Sequence, residues 1–167
     1  MLPHVDAAYG LARWLVRDAT AAEEVVQEAV VRALTYFASF RGVSARSWLL
    51  QIVRNVAYEA VKRDRRGRLV PIETSGDWED LPSLELLSED DDPETRLRRK
   101  RNRDRAQQLI GQLPDQLREV VVLRELEELS YKEISEVIKT PIGTVMSRLW
   151  RARRRLIEGS LGLPEPC

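Results

Sequence analysis

SYKEISEVIKTPIGTVMSRLWRARRRL, residues 130–156, is the stretch on which the fold turns. Ser130 followed three residues later by Glu133 is a capping-box pattern that opens a short helix. Ile134, Val137 and Ile138 give that helix a buried face. Lys139 and Thr140 form the turn, with Thr140 placed to cap the next helix and Pro141 suited to its first position. Along the second helix Ile142, Val145, Leu149, Ala152 and Leu156 recur at spacings of three and four, which predicts a buried stripe. Thr144, Met146, Ser147, Arg148, Trp150, Arg151 and Arg154 are left on the opposite face. Two capped helices, a tight turn and a basic outer face are the parts of a helix-turn-helix. Its second helix enters the major groove, with N-terminal side chains at base edges and flanking Arg on phosphates. An amphipathic hairpin with a solvated basic face explains the charges but not the caps and the turn.

Outward from this motif, LPDQLREVVVLRELEEL (113–129) reads as one helix with Pro114 in its first turn. Another helix is expected from about Glu94 to Gln112, making residues 94–163 a helical domain. Residues 67–93 carry Gly67, Pro71, Gly76, Pro82 and Pro93 and read as a flexible acidic linker. Trp78, Leu81, Leu84, Leu86 and Leu87 make this segment more apolar than a plain spacer. Residues 1–66 read as a first helical domain. Tyr9, Ala12, Leu15 and Val16 place a helix near 4–17, and Thr20 with Glu23 marks a second start that runs to about Phe37. Phe40 to Ser44 breaks the pattern at Gly42. A third helix from Ser44 to about Arg65 is predicted from Trp48, Leu49, Ile52, Val53, Val56, Ala60 and Val61, with Trp48 read as core.

The expected fold class is therefore all-α, two small helical domains joined by a flexible acidic linker. The composition agrees: 43% of the 167 residues are hydrophobic and 32% charged, with only eight Gly and eight Pro. The net charge of zero hides segregated blocks. Residues 62–68 hold five bases and one acid, residues 96–105 hold seven bases and one acid, and residues 148–155 hold five bases and no acid. Residues 73–94 hold ten acids and no base. Basic blocks of this kind track phosphates or form solvated helix faces. The acidic segment complements the basic faces at 62–68 and 148–155, where it would compete with DNA at low salt.

Several classes are excluded. The chain has one histidine, His4, and one cysteine, Cys167, so no internal disulfide and no His/Cys zinc site is expected. No Ser/His/Asp set can form around His4, and no P-loop is present. Asp90, Asp91, Asp92 and Glu94 are adjacent carboxylates in a Pro-bounded segment and read as solvating charge rather than metal ligands. No cofactor and no enzymatic activity are expected. No apolar run has the roughly 20 residues a membrane span needs, and no signal peptide opens the chain. A reducing bacterial cytoplasm is the expected compartment.

PDQLREVVVLRELEELSYKEISEVIKTPIGTVMSRLWRARRRL resembles region 4 of bacterial sigma factors of the extracytoplasmic-function group. AYGLARWLVRDATAAEEVVQEAVVRALTYFASFRG and SARSWLLQIVRNVAYEAVKRDRR resemble their region 2. Two blocks in the right order are far more specific than a helix-turn-helix alone. The resemblance implies a protein that binds core RNA polymerase, through the β′ clamp helices and the β flap, and recognises the −35 and −10 elements of promoter DNA. Glu24, Gln27, Glu28 and Arg32 stand where the family contacts polymerase. Phe40, Arg41, Gly42, Val43 and Ser44, with Asn55, Tyr58, Glu59, Lys62 and Arg63, stand in its −10 reading unit, where an unstacked base needs a pocket and polar or stacking partners. Met146, Ser147, Trp150 and Arg151 would face the −35 element, with Thr144, Arg148 and Arg154 on the backbone. An anti-sigma factor is the implied regulator. The segments of housekeeping members, an acidic N-terminal domain and a middle domain, are not expected here, nor is a C-terminal accessory domain.

Three positions depart from the family. Lys139 stands where it usually has Gly, at a left-handed cost of roughly 1 kcal/mol. Met146 replaces a basic residue, and Glu128 replaces a common Gly. The competing reading is a helix-turn-helix regulator that binds operator DNA without polymerase, with residues 4–66 as a dimerisation or sensor domain.

Overall fold

The structure, a computed structural model, describes residues 2–42, 44–67 and 92–161. Val43 and residues 68–91, with their acidic and apolar patches, lie outside the described residues. Seven α-helices account for most of the rest: α1 Val5–Val16, α2 Ala19–Thr35, α3 Ala45–Gly67, α4 Pro93–Gln112, α5 Asp115–Val121, α6 Tyr131–Ile138 and α7 Ile142–Ser160. The chain is all-α among these residues, in two small helical units.

In the first unit α1, α2 and α3 pack pairwise against one another. Their core holds Leu11, Trp14, Leu15, Val25, Ala29, Leu49, Leu50, Val53, Val56 and Ala57. The α1 helix ends on Arg17 in the left-handed region (φ 61°). Asp18 then caps α2 by accepting from the Ala21 N–H at 3.1 Å. The start expected at Thr20 therefore falls two residues earlier. Both patterns are present in DATAAE, and the aspartate, with β-region backbone, takes the cap. The α2 helix also stops before Phe37, and a 3₁₀ turn, Phe37–Ser39, leads into the loop.

In the second unit α5 and α6 pack on α7, and the core holds Leu117, Val120 to Leu123, Leu129, Ile134, Val137, Ile138, Val145, Leu149 and Ala152. The stretch expected as one helix over 113–129 is α5 followed by a wider, π-type turn, Val122–Leu126. Glu128 in the left-handed region (φ 55°) stops the helix there, and the Leu129 N–H reaches back to the Leu123 carbonyl at 3.0 Å. Ser130 caps α6 with both capping-box bonds formed: its Oγ accepts from the Glu133 N–H at 3.1 Å, and Glu133 Oε2 accepts from the Ser130 N–H at 2.7 Å.

The two units also pack on each other, α6 against α3 and α1 against α5, and their buried residues form one continuous core. Buried Gly10 lets Glu127 approach, for a Cβ there would stand 3.3 Å from its Oε1.

Candidate nucleic-acid interface

The turn between α6 and α7 is Lys139, Thr140 and Pro141. Lys139 adopts the left-handed conformation (φ 53°), as a glycine would. Ser135 Oγ donates to the Thr140 carbonyl at 2.5 Å, and Thr140 Oγ1 donates to the Ile138 carbonyl at 3.1 Å. Thr140 therefore ties the turn together but does not cap α7. Pro141 occupies the capping position instead, with no side-chain bond. Val145, Leu149 and Ala152 are buried as expected, but Ile142 is 44% exposed.

On the outer face Met146, Ser147, Trp150, Arg151 and Arg154 are exposed, and Thr144 is half-buried. The Arg154 guanidinium lies 5.4 Å from the Trp150 ring centroid, a cation–π contact, and also pairs with Glu158 at 3.1 Å. Trp150, Arg151 and Arg154 line one side of a 620 Å³ groove whose other wall is the start of α5.

Arg148 differs from its neighbours. It turns inward to Glu119 on α5, at 3.8 Å, with only 16% of its side chain exposed. The Glu119 carboxylate is fully buried and also accepts from Arg54 Nε at 2.7 Å and from the Tyr58 hydroxyl at 2.9 Å. Arg54 and Tyr58 lie on α3, so one carboxylate of the second unit collects side chains from both. Burial foremost, then the Glu119 charge, pushes the Tyr58 hydroxyl well above the usual tyrosine range. Burial pulls the Arg54 pKa down, but the Glu119 hydrogen bond and charge outweigh it and the net shift is upward. Neither Arg54 nor Glu119 was expected at a site. The signal for Glu119, a carboxylate directly before the apolar run Val120 to Leu123, is readable only once a partner is known.

The rest of the expected −10 set is spread along the first unit. Phe40 packs on Trp48 with ring centroids 5.0 Å apart, and Phe37 meets Trp48 edge-on at 6.5 Å. Trp48 thus backs the loop as a half-buried platform rather than as full core. Arg41 and Gly42 are exposed and Ser44 is half-buried. A Cβ at Gly42 would stand 3.0 Å from the Phe40 ring. Asn55, Glu59, Lys62 and Arg63 are exposed along α3.

On α2 Glu24, Gln27 and Glu28 face solvent. Arg32 pairs with Glu28 at 2.9 Å and grips Glu59 of α3 with two bonds, 2.8 and 3.1 Å. The hydrogen bonds that Arg32 donates to Glu59 and Glu28 raise its pKa, and Arg32 lowers that of Glu59. Beside them Val31 and Leu34 are 59% and 64% exposed, an apolar addition to this face that helical spacing alone does not reveal. Between the units Arg46 pairs with Glu127 at 2.8 Å, and burial still pushes the Glu127 carboxyl up.

Among the described residues no helix is long and apolar enough to cross a membrane, and no group of His, Cys, Asp and Glu is placed to hold a metal.

A family profile described as Sigma-70 region 2 matches residues 2–67, and one described as Sigma-70, region 4 matches residues 103–156. The RNA polymerase sigma-H factor of Pseudomonas aeruginosa is 38% identical over 150 residues, covering 88% of this chain and 77% of that protein. The ECF RNA polymerase sigma-E factor of Escherichia coli K12 is 37% identical over 135 residues, covering 80% and 70%. Among solved structures, the sigma factor RpoE in complex with the anti-sigma factor NepR from Bartonella quintana matches with TM-score 0.67 at 22% identity, covering 98% of this chain and 95% of that one. CnrH in complex with the cytosolic domain of CnrY matches with TM-score 0.60 at 25% identity, covering 93% and 80%.

Proposed function

The chain belongs to the extracytoplasmic-function group of RNA polymerase sigma factors, and on that premise we propose how its two helical units divide the work. It binds core RNA polymerase, recognises −35 and −10 promoter elements and directs transcription initiation. The function is binding rather than catalysis, and its place is the bacterial cytoplasm, where core polymerase works.

Residues 1–66 take up core polymerase and the −10 element. The exposed face of α2, with Glu24, Gln27, Glu28 and Arg32 flanked by apolar Val31 and Leu34, is the polymerase-facing surface. The Phe40–Trp48 platform, the exposed loop beside it and the row Asn55, Tyr58, Glu59, Lys62 and Arg63 on α3 meet the −10 strand. Residues 67–93 join the units. Residues 94–163 read the −35 element through α7, with Met146, Ser147, Trp150 and Arg151 toward the bases and Thr144, Arg148 and Arg154 toward the backbone. The observation that carries this reading is a solvent-facing recognition helix in the same chain as a region 2 bundle, the two in family order.

The two elements lie on the order of 80 Å apart at about 3.4 Å per base pair. Tyr58 and Arg148 share one carboxylate here. Promoter engagement therefore requires α3 and α6 to part. An anti-sigma factor is the expected regulator of that step, as the anti-sigma factor NepR is bound to the similar sigma factor RpoE.

A gel shift with and without core polymerase tests the reading. The free chain should show weak or no specific duplex binding, and adding core should produce a specific promoter complex. Specific binding by the free chain, unchanged by core, would instead favour an operator-binding regulator.

A further inference from the structure

The solvent face of α7 carries two parallel tracks. Ile142, Met146 and Trp150, at a spacing of four, are 44%, 52% and 61% exposed. Gly143, Ser147 and Arg151 form the neighbouring track, also exposed. Large apolar side chains bared to water on a helix flanked by arginines need an explanation, because phosphate contact alone calls for cations in both tracks. The packing of the two units leaves the apolar track uncovered: Val145, Leu149 and Ala152 are buried in the second unit's core and Arg148 turns to Glu119 of α5.

The occupant is identified by charge and chemistry. Arg151 and Arg155 have no ion pair among the described residues, and Arg154 lines the same groove beside them, so the surroundings suit a polyanion. In the major groove the bases offer hydrogen-bonding atoms and one apolar group, the C5-methyl of thymine. We propose that the Ile142–Met146–Trp150 track reads thymine methyl groups in the −35 duplex, with Met146 as the principal contact and the Ser147–Arg151 track making the polar contacts beside it. The inference rests on the assignment of α7 as the −35 reader. Unbranched Met146 has the reach and adaptability to follow a methyl group. With Arg154 stacked on it, Trp150 retains part of its ring for the bases.

The test uses the full chain bound to core polymerase. Promoter duplexes randomised over the −35 element, with the −10 element constant, are selected for binding and sequenced. Each enriched thymine is then replaced by deoxyuridine, which removes only the methyl group. Loss of one buried methyl is expected to weaken binding about four-fold. In Met146→Ala the thymine-to-deoxyuridine ratio should fall close to one at the position it contacts, whereas Met146→Leu should keep most of it. Enrichment without thymine, or equal binding of thymine and deoxyuridine by the unaltered chain, overturns the proposal. So does discrimination that survives both Met146→Ala and Trp150→Ala, which would place methyl reading outside the track. Selection that leaves the −35 positions random while transcription still depends on the −10 element would instead overturn α7 as the −35 reader.

Discussion

Lys139 and Glu128 hold left-handed backbone that glycine adopts without a Cβ penalty. Each gives up roughly 1–2 kcal/mol to that conformation, against about 0.5–1 kcal/mol for the freedom a glycine would lose on folding. Lys139→Gly and Glu128→Gly are therefore each expected to raise stability by up to about 1 kcal/mol, read from urea midpoints at unchanged slope. The left-handed conformation at 139 was legible because Lys139 stands in the turn where the family usually has Gly. Arg17, with φ 61°, was not, since nothing in VRDAT marks it as a helix end. Ile142 shows where periodicity stops discriminating. It lies three residues before buried Val145 and four before exposed Met146, so spacing fits either face and only the packed neighbours decide.

Helix caps were the most legible elements, but only where one residue monopolised the role. Ser130 does so, and Ser130→Ala is expected to cost about 1 kcal/mol of stability. Thr140 keeps a single hydrogen bond to the Ile138 carbonyl and caps nothing, so Thr140→Ala should cost under about half of that. Thermal denaturation of the pair distinguishes a motif held by its first cap from one held by two. The stretch 113–129 was misread as one helix for a related reason. Its apolar spacing continues without a break, and hydrophobic periodicity records neither the π-type turn at Val122–Leu126 nor the left-handed Glu128 that follows it.

At the scale of the molecule, the docking of the two units rests on residues far apart in sequence, Arg54 and Glu119 being 65 positions apart. No local pattern announces such a pair, which is why the domains were legible and their contact was not. Removing one partner of a buried ion pair costs about 3–5 kcal/mol, whereas replacing both with apolar groups of similar volume is often neutral. Arg54→Met should therefore loosen the docking, seen as faster amide exchange in α3 and α6, and Glu119→Leu should loosen it further, because Tyr58 and Arg148 lose the same carboxylate. The pH dependence follows from Tyr58. Its folded pKa is raised above the unfolded value, so the contribution of its contact is complete below about pH 10 and is lost as pH climbs beyond that. Tyr58→Phe should flatten the alkaline limb of the unfolding curve.

Arg148 has a consequence for ionic strength as well. A guanidinium that leaves Glu119 for a phosphate frees a sodium or potassium ion from the DNA, but the carboxylate it abandons then gathers a cation of its own. The same holds for Arg153 on Glu125 and Arg154 on Glu158. Net ion release on promoter binding is thus smaller than the number of arginine–phosphate contacts. A plot of log affinity against log salt should be shallower than that number dictates and should steepen in Glu119→Gln.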